Sequence, residues 1–192
     1  MLTPTYFKIG FWNAWIFMIV FIFQMIVMFF AGKDIMKRSH VLNNIRRTPF
    51  ERNISLIANF VWLLSMVYSI FLQLRLGTTW FWIGFSVFII GLTILGLATI
   101  AFITTPIDQL IQKGVYRFSR HPMYLSTLLI CLGTSIATTS WIFILLSFVI
   151  FICFHYEAIV EEKCCHNDYK DLYKEYQRRV PMWIGIPRQD LK

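Results

Sequence analysis

The chain has 192 residues, of which 57% are hydrophobic and 15% are charged, and its formal net charge is +8. With a mean hydropathy of +0.61 it is far more apolar than a soluble domain of this length, so a soluble globular protein is excluded and an integral membrane protein is predicted. Because the few charges are mostly basic, the cations are expected at the membrane faces.

The first predicted element is a membrane span at residues 11–31, an uncharged segment about 31 Å long as a helix at roughly 1.5 Å per residue. Its apolar region is longer than that of a signal peptide, and a cleavage site of small residues is not present. We therefore expect the segment to remain in the mature protein. Residues 32–53 are polar and carry six cations against Asp34 and Glu51, which predicts a cytoplasmic loop. The cations are Lys33, Lys37, Arg38, Arg46, Arg47 and Arg52.

Two further spans follow at residues 54–74 and 80–103, and both are uncharged and long enough to cross a bilayer. Arg75 and Gly77 are expected to end the second span, and Trp80 and Trp82 flank the third as interfacial aromatic residues. The connection between these spans is very short.

Residues 112–124 place cations, tyrosines, a glycine and a proline between two long apolar runs. Gly114 can adopt a positive φ, and Pro122 fits the first turn of a helix, so a loop entering a helix is predicted. Backbone donors at that helix start, next to Arg120 and His121, favour a polar or anionic ligand. Basic residues and tyrosines also simply anchor membrane helices at lipid headgroups, and this alternative stays open.

Residues 123–156 are uncharged apart from His155 and are much longer than one span of roughly 20 residues requires. Thr138, Thr139 and Ser140 interrupt them and predict a helical hairpin, with a fourth span to about residue 137 and a fifth from Trp141 into Glu157. One long tilted helix is the alternative, but it would leave many apolar residues outside the lipid.

A further helix is predicted after the fifth span from apolar residues at i, i+3, i+4 and i+7. These residues are Tyr169, Leu172, Tyr173 and Tyr176. Glu175 and Arg179 have a favourable i,i+4 spacing, and Pro181 is expected to stop the helix. The helix either lies on the membrane surface or folds back as a lid over a cofactor.

The distribution of cations predicts the orientation of the five spans. With the amino terminus outside and the carboxyl terminus in the cytoplasm, 16 of the 18 Lys and Arg residues lie inside, and Lys8 and Arg75 remain outside. We expect one membrane domain over residues 1–192, with a three-span scaffold (1–103) and a cofactor-binding and catalytic region (104–192). The expected location is the cell membrane in a prokaryote or the endoplasmic reticulum in a eukaryote.

The four cysteines are Cys131, Cys153, Cys164 and Cys165, and no C-x-x-C spacing occurs. Neither a zinc site nor a redox motif is predicted, even with His166 beside the cysteine pair.

Three separated motifs occur in order: G-V-Y-x-x-x-R-H-P-x-Y at residues 114–124, E-E at 161–162 and R-V-P at 179–181. In these motifs the chain closely resembles the isoprenylcysteine carboxyl methyltransferase family, integral membrane enzymes that use S-adenosylmethionine. The resemblance covers roughly residues 100–185, whereas the amino-terminal half is similar only in being hydrophobic.

The resemblance implies a cofactor site, in which Glu161 is favoured over Glu162 as the carboxylate that holds the cofactor. The implied cofactor residues are Asp108, Gln109, Leu110, Ile111, Tyr116, His121, Pro122, Met123, Tyr124, Glu161 and Glu162. Arg120 is implied as an active-site cation and Arg179 as a second one. Alternatively, the glutamates merely mark the water interface. A cationic sulfonium also favours aromatic faces, which Tyr116, Tyr124 and Trp183 can supply.

Glu157 departs from the pattern, because eukaryotic members of the family carry an arginine one helical turn before the glutamate pair. A carboxylate there repels a carboxylate substrate and favours a lipid amine, as in related phospholipid methyltransferases. Glu157 is therefore a further predicted catalytic residue.

The predicted activity is methyl transfer to a lipophilic acceptor that enters from the bilayer, with membrane lipids and no nucleic acid as partners. One alternative is an NADPH-dependent membrane reductase, because sterol reductases share a similar R-H-x-x-Y and hairpin pattern. Another is a non-enzymatic scaffold whose basic loops bind anionic lipids.

Overall fold

A computed structural model describes residues 9–32, 48–106 and 108–187. Within these ranges the chain forms five α-helices and one short 3-10 helix, so the predicted all-α fold is confirmed. The helices are α1 (Trp15–Phe30), α2 (Pro49–Ser69), α3 (Thr79–Thr104), α4 (Pro122–Thr138) and α5 (Trp141–Arg179), and the 3-10 helix is Gly114–Arg117. Most of the predicted basic loop, residues 33–47, lies outside the described residues, as do Lys8 and the last five residues.

The predicted boundaries of the first two spans are wrong in part. α1 begins at Trp15 because residues 12–14 pair with residues 72–74: the Ala14 amide donates to the Leu72 carbonyl at 2.8 Å, and the Leu74 amide donates to the Trp12 carbonyl at 3.1 Å. The same pairing ends α2 early, since residues 72–74 are extended against the chain before α1. α2 also starts early, at Pro49, within the segment predicted as a loop.

The early start of α2 comes from a capping box. The Thr48 hydroxyl accepts from the Glu51 amide at 3.2 Å, and the Glu51 carboxylate accepts from the Thr48 amide at 2.8 Å. Two amides at the helix start are therefore satisfied, and the proline at the first position needs no donor.

α3 and α4 pack with their backbones in contact at two glycines. A Cβ atom on Gly84 would lie 2.3 Å from the Ala137 amide nitrogen, and one on Gly133 would lie 2.6 Å from the Phe88 amide nitrogen. Larger residues at either position would push the helices apart. Small residues at a helix interface are typical of membrane proteins.

The predicted hairpin between the last two helices is confirmed. Pro122 occupies the first turn of α4, Thr139 turns the chain at a φ of +53°, and the Ser140 hydroxyl caps α5 by accepting from the Phe143 amide at 3.3 Å. Gly114 has a φ of +60°, as its place in the loop predicts.

α5 is interrupted at Lys170, whose backbone is not helical (φ +46°, ψ −118°). We call residues 171–179 the return segment, because contacts described below bring them back beside the part of α5 that precedes Lys170. The return segment ends before Pro181, as predicted. Along the predicted apolar stripe, Tyr173 and Tyr176 are buried and Leu172 is 49% exposed. The non-helical backbone at Lys170 separates Tyr169 from these three residues.

Among the described helices, α3 and α5 are long and apolar enough to cross a membrane, and α1 and α4 are shorter apolar helices. Large apolar side chains are exposed around the bundle, for example Phe23, Phe60, Ile90 and Phe148. Such a surface suits lipid tails better than water and indicates a membrane protein.

The predicted cytoplasmic segments that the structure describes lie at one end of the bundle. Lys163 Nζ contacts Glu51 Oε1 at 2.7 Å, which joins the start of α2 to α5. The opposite end holds the bridge between Asn13 and Gln73 and a hydrogen bond of 3.0 Å from the Arg75 amide to the Ala137 carbonyl.

Candidate active site

Residues 118–121 lie alongside residues 181–185, so the first and third motifs meet through their backbones. The Arg120 amide donates to the Pro181 carbonyl at 3.1 Å, and the His121 amide donates to the Met182 carbonyl at 3.3 Å. These contacts hold the backbone of Arg120 and His121 against the chain that follows the return segment.

Arg120 is nearly buried, with 9% of its side chain exposed, and it joins α5 to the end of the return segment. Its Nε donates to Glu162 Oε1 at 2.8 Å, and its Nη1 donates to the carbonyls of Gln177 and Val180 at 3.0 Å each. The planar guanidinium thus contacts three groups in one fixed geometry, which a lysine ammonium does not reproduce.

Glu162 accepts hydrogen bonds from three donors. Arg120 Nε and His121 Nε2 share its Oε1, the latter at 3.2 Å, and Gln177 Nε2 donates to its Oε2 at 3.0 Å. Burial raises the pKa of Glu162, but the His121 hydrogen bond and the charge of Arg120 outweigh it, so the pKa is lowered from its ordinary value. Glu162 is therefore ionised and accepts hydrogen bonds on both of its oxygens.

His121 lies between the two glutamates. Its Nδ1 is 3.4 Å from Glu161 Oε2, and its Nε2 faces Glu162. Burial lowers the pKa of His121, but the hydrogen bonds to both carboxylates outweigh burial and raise it. Protonation gives the ring an N–H for each carboxylate.

Glu161 is the more accessible of the two carboxylates, with 23% of its side chain exposed against 11% for Glu162. The Tyr124 hydroxyl donates to its Oε1. The adjacent glutamates therefore have different surroundings: Glu162 anchors Arg120 and His121, and Glu161 faces outward from the same cluster.

Aromatic rings surround this carboxylate cluster on the side of α5 that faces Tyr124. The Tyr124 ring stacks on Phe154 with centroids 4.6 Å apart and on His121 at 5.8 Å. Trp183 contacts Phe151 at 5.1 Å and His155 at 6.0 Å. Aromatic faces beside a carboxylate are suited to a cationic ligand.

A cavity of about 660 Å³ lies between the loop after α3 and the end of α5. Two implied cofactor residues, Gln109 and Leu110, line it, as does Arg179. Tyr176 and Val180 form part of its wall. Because Arg120 donates to the Val180 carbonyl, the cavity and the Arg120–Glu162 pair are separated by one stretch of chain.

Of the remaining predicted residues, some pack next to the return segment and others lie away from the carboxylate cluster. Ile111 and Met123 pack with Tyr116, whose carbonyl accepts from the Tyr176 hydroxyl at 2.7 Å. Asp108 lies in the exposed turn after α3. Arg179 forms the predicted pair with Glu175.

Glu157 faces α2, where the Ser55 hydroxyl donates to its Oε1. This contact joins α5 to α2 one helical turn before the glutamate pair.

Gln177 and His166 are site residues that the sequence did not indicate. His166 Nε2 lies 2.9 Å from Gln177 Oε1, and the same Gln177 side chain reaches Glu162. Both contacts depend on the chain reversal at Lys170, and a lysine gives no turn signal of the kind that glycine, asparagine or proline gives.

A model of the phospholipid methyltransferase family matches residues 72–171, which is more than half of the chain. The matched region contains α3, α4, the Arg-His-Pro block and both glutamates, whereas the R-V-P block lies beyond it. No curated protein sequence matches the chain significantly. The resemblance predicted from the motifs is confirmed, because this family is that of the isoprenylcysteine carboxyl methyltransferase-like membrane enzymes. The chain belongs to the phospholipid methyltransferase family.

Proposed function

We propose that the protein transfers a methyl group from S-adenosylmethionine to a lipophilic acceptor at the cytoplasmic face of a membrane. The observation that carries the proposal is the direct contact of Arg120 and His121 with Glu161 and Glu162, at one charged end of an otherwise apolar bundle. The family match supports methyl transfer, and it gives no support to a reductase or a lipid-binding scaffold.

The residues present fit a sulfonium cofactor. A partly exposed carboxylate, Glu161, accepts from the Tyr124 hydroxyl, and the Trp183 ring lies near the same cluster. The carboxylate and the aromatic faces both attract a cation. When bound, S-adenosylmethionine supplies a methyl group that is activated by its positive sulfur.

We assign the rest of the cofactor site to the loop after α3 and to the start of α4. Gln109 and Leu110, two of the implied cofactor residues, line the 660 Å³ cavity. The implied set also includes Asp108, Ile111, Tyr116, Pro122 and Met123. Arg179, at the rim of this cavity, is assigned as a second cation for an anionic group of the ligands.

The protein's contribution to methyl transfer is alignment of the two reactants away from water, and no metal is required. Arg120 and His121 are almost completely buried, so the protein shields both side chains from water. Arg120 binds Glu162 and the carbonyls of Gln177 and Val180. These hydrogen bonds keep the R-V-P motif against the Arg-His-Pro block.

We further propose five membrane crossings, with the amino terminus outside and the carboxyl terminus in the cytoplasm. The ion pair between Glu51 and Lys163 supports this arrangement, because it joins two segments that the positive-inside rule assigns to the same face.

Two acceptors remain in the proposal, a lipid amine and a prenylcysteine-like carboxylate, and Glu157 favours the amine. Glu157 lies on α5 one helical turn before Glu161, and a carboxylate beside the acceptor attracts an ammonium group and repels another carboxylate.

Calorimetry of the detergent-purified protein tests the proposed class of cofactor. We expect S-adenosylhomocysteine to bind and NADPH not to bind. Binding of NADPH alone would replace the proposal with a reductase, and binding of neither would favour a scaffold.

A further inference from the structure

Gln177, on the return segment, touches both members of the buried pair formed by Arg120 and Glu162. We propose that Gln177 is a positioning residue for methyl transfer: its amide orients Glu162, and through Glu162 it sets His121 and Glu161 and holds the return segment in place. This inference rests on the proposed function, in which Glu161 and His121 line the cofactor site.

The contact exists only because the chain reverses direction at Lys170. In a continuous helix, residues 162 and 177 would be about 22 Å apart at roughly 1.5 Å per residue. In the structure Gln177 Nε2 lies 3.0 Å from Glu162 Oε2. The side chain therefore ties the return segment to the part of α5 that precedes the reversal.

The amide of Gln177 has one orientation that satisfies both of its neighbours. Glu162 is ionised and can only accept, so the amide nitrogen must face it. The amide oxygen then faces His166 Nε2 at 2.9 Å, which makes that ring nitrogen the donor. A hydrogen-bond chain thus runs from His166 through Gln177 to Glu162.

The backbone of the same residue contacts the other member of the pair. The Gln177 carbonyl accepts from Arg120 Nη1 at 3.0 Å, while Arg120 Nε binds Glu162 Oε1. Glu162 is therefore clamped on one oxygen by Arg120 and His121 and on the other by Gln177. Without the amide, the carboxylate is held through Oε1 alone, and its orientation relative to His121 is less constrained.

Several ionisable groups lie around Gln177, and they determine how readily a carboxyl group introduced at this position would ionise. They are Glu162, Cys165 and His166 from the earlier part of α5, Arg120 and His121 from the start of α4, and Tyr173 and Tyr176 from the return segment itself. Burial raises the pKa of Cys165 to about 12, so its thiol stays neutral. The nearest anion is therefore Glu162.

Two substitutions separate positioning from packing. Gln177→Met keeps the approximate size and removes both side-chain hydrogen bonds, and Gln177→Glu keeps the shape but places a second carboxyl against Glu162. Lys174→Gln is the matched control, because Lys174 lies on the same return segment with 59% of its side chain exposed and, within the described part of the chain, its ion pair is with Asp171. The measurements are kcat and KM for S-adenosylmethionine with an aminophospholipid acceptor across pH, and amide hydrogen exchange of residues 171–180.

We expect Gln177→Met to lower kcat roughly 10- to 100-fold, more than it raises KM, since a hydrogen bond to a charged group is lost. Amide exchange should accelerate in residues 171–180 and not elsewhere. Gln177→Glu should regain activity as the pH falls, because its protonated carboxyl donates to Glu162 as the amide does. Lys174→Gln should behave as the wild type does.

The proposal is overturned if Gln177→Met retains the wild-type kcat and exchange rates, or if the pH profile of Gln177→Glu parallels that of the wild type. If Gln177→Met does not fold, the pH profile of Gln177→Glu decides. If the wild type itself transfers no methyl group, the proposed function fails. The exchange comparison still tests the positioning role in that case, since protection lost only in residues 171–180 supports it and unchanged protection overturns it.

Discussion

Arg120 Nε lies 2.8 Å from Glu162 Oε1, and this contact joins two motifs that are 42 residues apart in the chain. Both side chains are about 90% buried, so each charge depends on the other for compensation. The pair therefore fixes the start of α4 to α5 at the end of the bundle where the proposed chemistry occurs.

Replacing Arg120 with lysine should impair turnover more than folding. Lysine keeps the positive charge but cannot bind Glu162 and two carbonyls at once. We expect a loss of about 1 to 3 kcal/mol in transition-state stabilisation, measured from kcat/KM with labelled S-adenosylmethionine. Unchanged activity in a well-folded variant would remove Arg120 from the site.

The two glutamates should respond differently to the same substitution. Glu162→Gln leaves the buried Arg120 without its counter-charge and should lower stability by about 3 to 5 kcal/mol. Glu161→Gln should lower the melting temperature less than Glu162→Gln does, because Arg120 keeps its counter-charge, and should weaken S-adenosylhomocysteine binding about tenfold or more, which is about 1.4 kcal/mol. Thermal unfolding in detergent and calorimetry measure the two effects. Equal effects of both variants on stability would contradict the division of roles.

The contact between His121 and the glutamates should stabilise the protein most at intermediate pH, and the stability should fall at both higher and lower pH. The raised pKa of His121 means that its contribution is complete below its ordinary value of 6.5 and is lost as the pH rises through its folded-state value. The lowered pKa of Glu162 means that its contribution is complete above 4.5 and is lost as the pH falls through its folded-state value. Melting temperature against pH should show both limits.

The variant His121→Gln serves as the control for this pH dependence. It should lose the alkaline decline that begins above about pH 6.5, because the titrating ring is gone. If the decline persists unchanged in the variant, another group causes it.

A structural feature of this protein can be predicted from the sequence when neighbouring residues determine it, and not when residues far away in the chain do. The turn at Thr138–Ser140, the proline at the start of α4 and the positive φ of Gly114 follow from residue types, and all three were predictable. The end of α2 was not, because it is set by pairing with residues 12–14, far away in the chain. Likewise, the motifs predict that residues 112–124 and 157–183 belong together. They do not predict that Glu162 accepts from three donors while Glu161 stays partly exposed.

The close approach of α3 and α4 gives a prediction with an internal control. Gly133→Ala places a methyl group against backbone atoms of α3 and should destabilise the protein by about 1 to 3 kcal/mol. Gly96→Ala, on the open side of α3 with no atom within 4 Å of its Cβ position, should instead stabilise by up to about 1 kcal/mol through helix propensity. Thermal unfolding of both variants checks the difference, and equal melting temperatures would refute the packing argument.

The last prediction concerns the acceptor and depends on Glu157, where this chain carries a carboxylate in place of the arginine of eukaryotic relatives. If Glu157 borders the acceptor, its charge favours an amine over a carboxylate. We expect Glu157→Arg to gain activity on a prenylcysteine relative to an aminophospholipid, because the new cation pairs with the carboxylate and repels the ammonium. The measurement is methyl incorporation from labelled S-adenosylmethionine into each acceptor.

Ser55→Ala is the control for Glu157→Arg, since it removes the hydrogen bond from Ser55 to Glu157 without changing the charge. The acceptor ratio should stay at the wild-type value in Ser55→Ala and shift only when the charge is reversed. A shift of equal size in both variants would show that the contact between α2 and α5, rather than the charge of Glu157, determines the preference. If the wild type already methylates the prenylcysteine efficiently and Glu157→Arg leaves the ratio unchanged, Glu157 does not face the acceptor, and its contact with Ser55 serves only to hold α2 against α5.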